Sequence, residues 1–394
     1  MPVKGVSRVR SFNNSLVLLL GTSFAERASI KGTVTRDGVI VNEPINWSIS
    51  DTSIADFSLA STQYYDKREL IGKVAGTTTL TAETKDGVKT TFTVTVLAEP
   101  NYYNDLAYIA DDKSAVIIGY RGDGGDIIIP SEINGKPVLS VQEFAFDTAN
   151  NKKYAGAGCK QITNITVSEG VKVLGTCAFQ GLHALKTISI PASVIKMDTD
   201  GFNGQSLTAI NVALKNPNYS SDGGVLFNKT KTILHKYPPC KSDAKYIIPD
   251  TVVCIDIAAF MNNLSIKSVT MPINLVQISR NGFRLCNNLE SVYFKGDTPI
   301  FAGSGPELAM YMHVFKDAGG NNFPNMKIYY PKNSSSWTYP EWGGYPTESW
   351  DFEEETDFVY TVSGDEITIT GYNGSSEYVL IPSKIGLCFK IVDK

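Results

Sequence analysis

The chain has 394 residues, of which 42% are hydrophobic and 19% charged, with 33 glycines and a formal net charge of −4. That length exceeds one ordinary core and suits two or three domains, and the charge balance gives no electrostatic basis for binding nucleic acid. Apolar runs stay well short of the roughly 18 residues of a membrane helix, so neither nucleic acid nor membrane insertion is expected.

Lys4, Arg8 and Arg10 precede Leu16-Val17-Leu18-Leu19-Leu20, with Ser23 and Ala25 placed like a cleavage site. This apolar core is shorter than the roughly 7–15 residues of a secretion signal. It fits better as the first strand of a domain, ending at Gly21-Thr22, with residues 1–11 as an arm. From 12 to 98 apolar and polar positions alternate between Gly and Asp turns, the pattern of short antiparallel strands. Thr91-Phe92-Thr93-Val94-Thr95-Val96 is the clearest strand, and Lys85-Asp86-Gly87-Val88 predicts a hairpin through its Asp-Gly turn. Trp47 with Ser48, Ser50 and Asp51, then Ile54-Ala55, then Gly72-Lys73-Val74-Ala75-Gly76-Thr77, resembles the bacterial immunoglobulin-like group 2 family. That resemblance implies a β-sandwich with Trp47 in its core, although Ser61 to Glu69 is longer and more polar than the pattern.

Ala98-Glu99-Pro100 is a linker, since Pro100 cannot extend a ladder. Residues 106–130 are expected to form a hairpin with Val116-Ile117-Ile118 and Ile127-Ile128-Ile129 as its strands. The turn between them holds Arg121-Gly122-Asp123, a triplet that invites an integrin-type reading; Gly119-Tyr120-Arg121-Gly122 reads instead as structural punctuation. A repeat then begins. Ile165 and Val167 recur as Ile188 and Ile190, Phe179 as Phe202, Pro249 as Pro272 and Phe260 as Phe283, each at an offset of 23. One short apolar strand per period of this length predicts a solenoid whose units bury their apolar faces by stacking.

Ile190-Pro191 to Val194, Ile248-Pro249 to Val252 with Ala259-Phe260, and Met271-Pro272 to Ile278 with Phe283, Cys286 and Leu289 resemble the BspA-like, Treponema-type leucine-rich repeats. Further matches are Gly119 to Gly122, Ile129 to Val138, Asn216 to Tyr219, Gly224 to Asn228, Tyr237 to Pro239, and Ile328-Tyr329-Tyr330-Pro331 with Trp337, Tyr339 and Trp342. The resemblance covers residues from about 106 to 345 and implies about five or six coils. Around Phe301 to Asn325 a Gly-rich excursion is expected to replace a repeat.

After the acidic link Asp351 to Asp357, which reads as a solvated linker, the opening motif returns: Tyr372, Pro382 and Ile385 match Tyr120, Pro130 and Ile133 at an offset of 252. Residues 358–394 therefore look like the start of a second array without its coils. They are expected to dock on the first array's open end or on another subunit, giving a homo-oligomer.

The cysteines Cys159, Cys177, Cys240, Cys254, Cys286 and Cys388 show no C-x-x-C pair and read as reduced thiols, with Cys286 and Cys159 in equivalent repeat positions. His183, His235 and His313 lie near no nucleophile motif. Asp198 and Asp200 fall on a repeat turn, where carboxylates accept backbone hydrogen bonds. No enzyme activity, metal or cofactor is expected.

The fold class is mainly β: an Ig-like β-sandwich over 12–98, a leucine-rich-repeat solenoid over 99–350 and a C-terminal hairpin segment over 351–394. Families carrying these two domains are surface proteins, so the resemblance implies adhesion. The leading expectation is a phage virion component such as a head or tail fibre, decoration or host-adhesion protein, displayed on the virion and contacting other virion proteins and a host-surface protein or glycan. The alternatives are a secreted bacterial or protist cell-surface adhesin and an accessory carbohydrate-binding module. The densest aromatic cluster, Tyr329, Tyr330, Trp337, Tyr339, Trp342 and Tyr345, with Trp350 beyond it, is the candidate contact site; the same residues also suit a buried terminal cap.

Overall fold

The computed structural model describes residues 15–19, 28–31, 34–36, 39–41, 44–57, 67–199, 201–202, 204–301, 314–317, 320–332, 334–350, 358–363, 366–372, 384–385 and 389–391. Among them are short strands and a 3-10 turn, Ala157–Gln161, but no α-helix. The arm 1–11 and the acidic link 351–357 lie outside the described residues.

Near the N-terminus, one sheet has the order Ser15–Leu19, Lys89–Leu97, Gly76–Glu83, Asn46–Ile49, and a second joins Ala28–Lys31, Lys67–Gly72 and Ala55–Phe57. Leu16 lies opposite Val94 in a parallel pair. Gly87, at φ +82°, turns the chain between Glu83 and Lys89, a conformation that favours glycine. Alternation along Gly76–Glu83 buries Leu80 and Ala82. Leu80 packs with Ala55, Leu70, Val94 and Val96, and a half-buried Trp47 lies against them.

The solenoid opens with an antiparallel hairpin, Leu106–Ala110 with Ala115–Tyr120, which corrects the expected pairing of 116–118 with 127–129. The hairpin turn is at 111–114, where Asp111 Oδ1 accepts the amides of Lys113 at 2.8 Å and Ser114 at 2.7 Å, an Asx turn. Residues 121–124 are instead a corner between two sheets. Gly124 sits there at φ +101° and donates its amide to Tyr120 Oη at 3.1 Å. Gly125–Ile129 then pairs in parallel with Ile162–Val167, Ile127 opposite Ile165.

Each later coil adds one strand to a long-strand face, and five of them add a two-residue strand, such as Val173–Leu174 or Gln277–Ile278, to a short-strand face. The long-strand face is two sheets. The first holds Gly125–Ile129, Ile162–Val167, Thr187–Ile190 and Ala209–Val212; the second holds Lys245–Ile247, Ser268–Met271, Ser291–Phe294, Lys327–Pro331 and Tyr345–Trp350, edged by Glu341–Trp342. These are nine coil strands, 4 + 5, rather than the five or six expected. The sequence offset of 23 is the hydrogen-bond register itself: Ile165 faces Ile188, and Val269 faces Val292.

Inside the coils, rings stack. Tyr120, Phe146, Phe179 and Phe202 follow one another at 6.1, 5.5 and 6.1 Å; Tyr237, Phe260, Phe283 and Phe315 do so at 4.9, 4.4 and 5.1 Å. The place of Phe315 corrects the reading of a lost repeat. Ser291 pairs with Lys327 at an offset of 36 in place of 23, so that coil is longer than its neighbours and still delivers its ring. Residues 302–313 of the Gly-rich excursion lie outside the described residues.

Two residues after the ring the backbone turns left-handed, at Gly181 (φ +78°), Asn262 (φ +68°) and Leu285 (φ +64°). Glycine and asparagine tolerate this region, whereas a leucine there costs roughly 1–2 kcal/mol. Leu285→Asn is therefore expected to raise stability by about 1 kcal/mol, seen as a higher denaturation midpoint; a lower midpoint would mean that the half-buried leucine packs better than its backbone suggests.

The C-terminal strands form a sheet of order Phe358–Ser363, Glu366–Tyr372, Phe389–Ile391, Lys384–Ile385. Its hairpin breaks register between Val359 and Tyr360, as the opening hairpin does between Ala107 and Tyr108. That is the offset of 252 again.

Candidate recognition face

In the second long-strand sheet, Val269, Met271, Val292, Phe294 and Ile328 point inward and are buried. Period-2 alternation puts Ser268, Thr270, Ser291, Tyr293, Lys327 and Tyr329 on the outside. Register aligns Ile247, Thr270, Tyr293, Tyr329 and Glu348 in one row across five strands. Ile247 is 66% exposed.

Tyr293 and Tyr329 stack with ring centroids 4.4 Å apart and planes 10° from parallel, a distance close to the roughly 4.8 Å between strands. Trp350 lies 4.9 Å from Tyr293 at 60° and donates its indole N–H to the Phe294 carbonyl at 3.0 Å. Lys327 Nζ stands 5.6 Å from the Tyr329 ring centre and pairs with Glu348, whose hydrogen bond holds the ammonium above its ordinary pKa. Stacking along the sheet turns the tyrosine faces toward each other. A pyranose needs an open ring face; a protein surface can use edges and hydroxyls.

The sequence-predicted contact residues are divided by the fold. Trp337 is 8% exposed, donates its indole N–H to the Gly296 carbonyl at 3.1 Å and lies 4.5 Å from Phe294. Tyr330 stacks on it at 5.9 Å and Trp342 packs 5.0 Å away. Tyr345 is buried, meets Phe315 edge-on at 81° and donates its hydroxyl to the Phe315 carbonyl. These four close the end of the second core. Tyr329 stands on the outer row, and Tyr339 is 75% exposed. Tyr293 escaped sequence reasoning; its signal is the offset of 23 from Thr270, which places it outside.

The first long-strand sheet carries a different face. Asp126 Oδ1 accepts Thr163 Oγ1 and Asn164 Nδ2, both at 2.6 Å, and Asn164 Oδ1 accepts Thr187 Oγ1 at 2.6 Å. Thr163 first and Asn164 second hold the Asp126 carboxyl below its usual pKa. The nearby triplet is bound into its corner: Arg121 donates to the Lys153 carbonyl, and a Cβ on Gly158 would lie 1.8 Å from the Gly122 oxygen. Such packing suits punctuation rather than a protruding ligand loop.

His235 Nδ1 lies 2.7 Å from Asp256 Oδ2. Burial pushes the Asp256 carboxyl up, but hydrogen bonds from His235 and the Ile257 amide outweigh it and leave the pKa lowered. Leu234, Ile255 and Ile278 share one register row, so on the next row Asp256 lies between His235 and Ser279. A nucleophile relay needs the histidine in the middle, so this dyad does not assemble one. Asp198 accepts the Cys177 amide at 3.2 Å, as expected of a turn, and His183 is exposed in its turn. Asp200 and His313 lie outside the described residues.

Cys159 and Cys286 are equivalent in function. Their thiols donate to the carbonyls of Tyr120 at 3.4 Å and Phe260 at 3.0 Å, and burial pushes both up to about 12. Cys177, Cys240 and Cys254 are also in no disulfide; Cys388 lies outside the described residues. Because thiolate is the reactive form, a thiol-alkylating reagent followed by peptide mass analysis is expected to label exposed Cys240 in the native chain. It should leave Cys159 and Cys286 unmodified until denaturant is added. Labelling of Cys286 at the rate of Cys240 would contradict this.

Among the described residues no helix is long and apolar enough to cross a membrane. No curated protein matches the chain in sequence. In structure it is similar to a leucine-rich repeat protein of T. pallidum at 22% identity, covering 50% of this chain and 86% of that one with a TM-score of 0.33. It is also similar to the pneumococcal vaccine antigen PcpA, at 15% identity over 60% of this chain and 94% of that one, TM-score 0.32. A leucine-rich cell surface protein of Faecalibacterium prausnitzii matches at 16% identity over 55% of this chain and 98% of that one, TM-score 0.20. The family described as BspA type leucine rich repeat region matches residues 149–235 and 236–302 in six copies, and so the coils across these residues are BspA-type leucine-rich repeats.

Proposed function

We propose that the chain is a non-enzymatic recognition scaffold displayed on a surface, which holds a protein partner on its second long-strand sheet. The supporting observation is the outward row Ile247, Thr270, Tyr293, Tyr329 and Glu348, fixed by parallel register and flanked by Trp350 and the Lys327–Glu348 pair. Stacked tyrosines with a tryptophan against them are the residue types that concentrate binding energy at protein interfaces. The Ig-like module over 12–98 serves as spacer or anchor. A carbohydrate-binding role has less support, because the tyrosine ring faces are turned toward one another.

Display on a phage virion and display on a bacterial or protist surface both suit this role, and co-purification of the native chain with particles or with envelope separates them. The recognition reading itself is tested on intact and protease-shaved bacterial and epithelial cells. The labelled chain is expected to bind intact cells and to lose binding after shaving, and Tyr293→Ala with Tyr329→Ala together should weaken binding at least tenfold without lowering the melting temperature by more than a few degrees. Undiminished binding by the folded double variant would overturn the assignment of this face.

A further inference from the structure

We infer that the solenoid is two cooperative units in series, each opened by its own hairpin, and that one can yield while the other stays folded. Both faces break at the same place. The first long-strand sheet ends at Ala209–Val212 and the next begins at Lys245–Ile247; the first short-strand sheet ends at Lys196–Met197 and the next begins at Tyr219–Asp222. What lies between is a second hairpin, Val225–Asn228 with Ile233–Lys236, antiparallel and with a register shift, whose second strand takes up the parallel coil strand Cys254–Ile255. The opening hairpin does the same with Lys136–Val141.

The ring ladders restart with it. Tyr120 ends the first hairpin and starts one ladder; Tyr237 follows directly on the second hairpin and starts the other. Among the described residues no ring contact joins Phe202 to Tyr237. The cores divide along a single strand: Leu226 belongs to the first, while Val225 and Phe227 on its opposite side belong to the second.

Apart from Leu226 and Tyr219, which pack against the first core, the junction is held by hydrogen bonds. The Ile210 amide donates to the Gly224 carbonyl and the Val212 amide to Ser221 Oγ, both at 2.9 Å, and Tyr219 Oη accepts the Met197 amide at 3.2 Å. Asn216 Nδ2 donates to the carbonyls of Pro191 at 2.8 Å and Val194 at 2.9 Å. Stability in a stacked array is a sum of unit and neighbour terms. Each unit here buries its own continuous apolar core, while hydrogen bonds carry much of the coupling across the junction. Each such bond contributes little net stability because water replaces it on opening. Loss of the first unit would bare Leu226 and Tyr219, which the second unit's hairpin sheet presents to the first core. The outward tyrosine row lies wholly in the second unit, so a load on the N-terminal side can be relieved by the first unit without disturbing it.

Hydrogen exchange read by mass spectrometry on the full chain tests this, with Phe179→Ala in the first unit and Phe283→Ala in the second. Phe179→Ala is expected to speed exchange at least tenfold across 106–212 and to leave 225–350 within about twofold of the parent. Phe283→Ala should do the reverse. Loss of protection in both units together, in either variant, would overturn the inference. Should Phe179→Ala not accumulate as folded protein, Phe179→Leu makes the same comparison with a smaller perturbation.

Discussion

Phe260→Ala is expected to destabilise the second core by roughly 3–5 kcal/mol. Phe260 is fully buried and is gripped by Tyr237 at 4.9 Å and Phe283 at 4.4 Å, with Tyr246 tilted against it at 6.1 Å. Its amide donates to the Gly282 carbonyl at 2.7 Å and its carbonyl accepts the Cys286 thiol, so the surrounding backbone is pinned and cannot collapse into the space. The cost therefore belongs at the cavity-forming end of large-to-small substitutions. Urea denaturation followed by tryptophan fluorescence reports on this core, because Trp337 and Trp342 pack at its end. A shift worth less than about 1 kcal/mol would show that the ladder is loosely packed.

Gly119→Ala and Gly371→Ala change the same motif position in its two occurrences, and they are expected to differ sharply. A Cβ on Gly119 would lie 2.3 Å from the Tyr154 carbonyl oxygen, and Tyr154 is buried with Ala107, Ile109, Val116 and Ile118. Backbone there has no room to move, so the cost reaches or exceeds the top of the roughly 1–3 kcal/mol that overpacking brings. At Gly371 the nearest atom is Val359 Cβ at 3.4 Å, an ordinary contact. Alanine should be neutral there or stabilising by about 0.5 kcal/mol through the lost freedom of glycine. Melting temperatures of the two variants decide it; an equal loss in both would mean that the C-terminal hairpin carries a covering segment like that of the first.

Much of this fold can be read from residue spacing. Ile165 and Ile188 are 23 apart because they are hydrogen-bonded neighbours, and Phe260 and Phe283 because their rings touch. The errors share one physical cause: periodicity reports what faces inward and is silent about chain path. Ile127 to Ile129 are apolar strand residues in either topology, and only the Asx turn at Asp111 reveals where the hairpin closes. Phe315 was hidden because its coil steps by 36 where the two coils before it step by 23, while its inward ring is unchanged. The candidate site was legible as an aromatic cluster but not as two groups. Tyr329 and Tyr330 are adjacent in sequence, yet strand alternation sends one to the outer row and the other to Trp337.

Coil length varies widely in this chain. The sequence offset across the long-strand face is 38 from Asp126 to Asn164, 23 from there to Thr187, 22 to Ala209 and 36 from Ser291 to Lys327. Strand pairing survives every one of these steps, so extra residues are absorbed as loops elsewhere on the circuit. Two kinds of change are thereby uncoupled: substitution on the outward rows changes which side chains are displayed, and insertion between strands lengthens the rim loops without shifting those rows. A lineage under pressure to alter its surface can lengthen a loop in one generation and exchange a tyrosine in another, and neither step obliges the other.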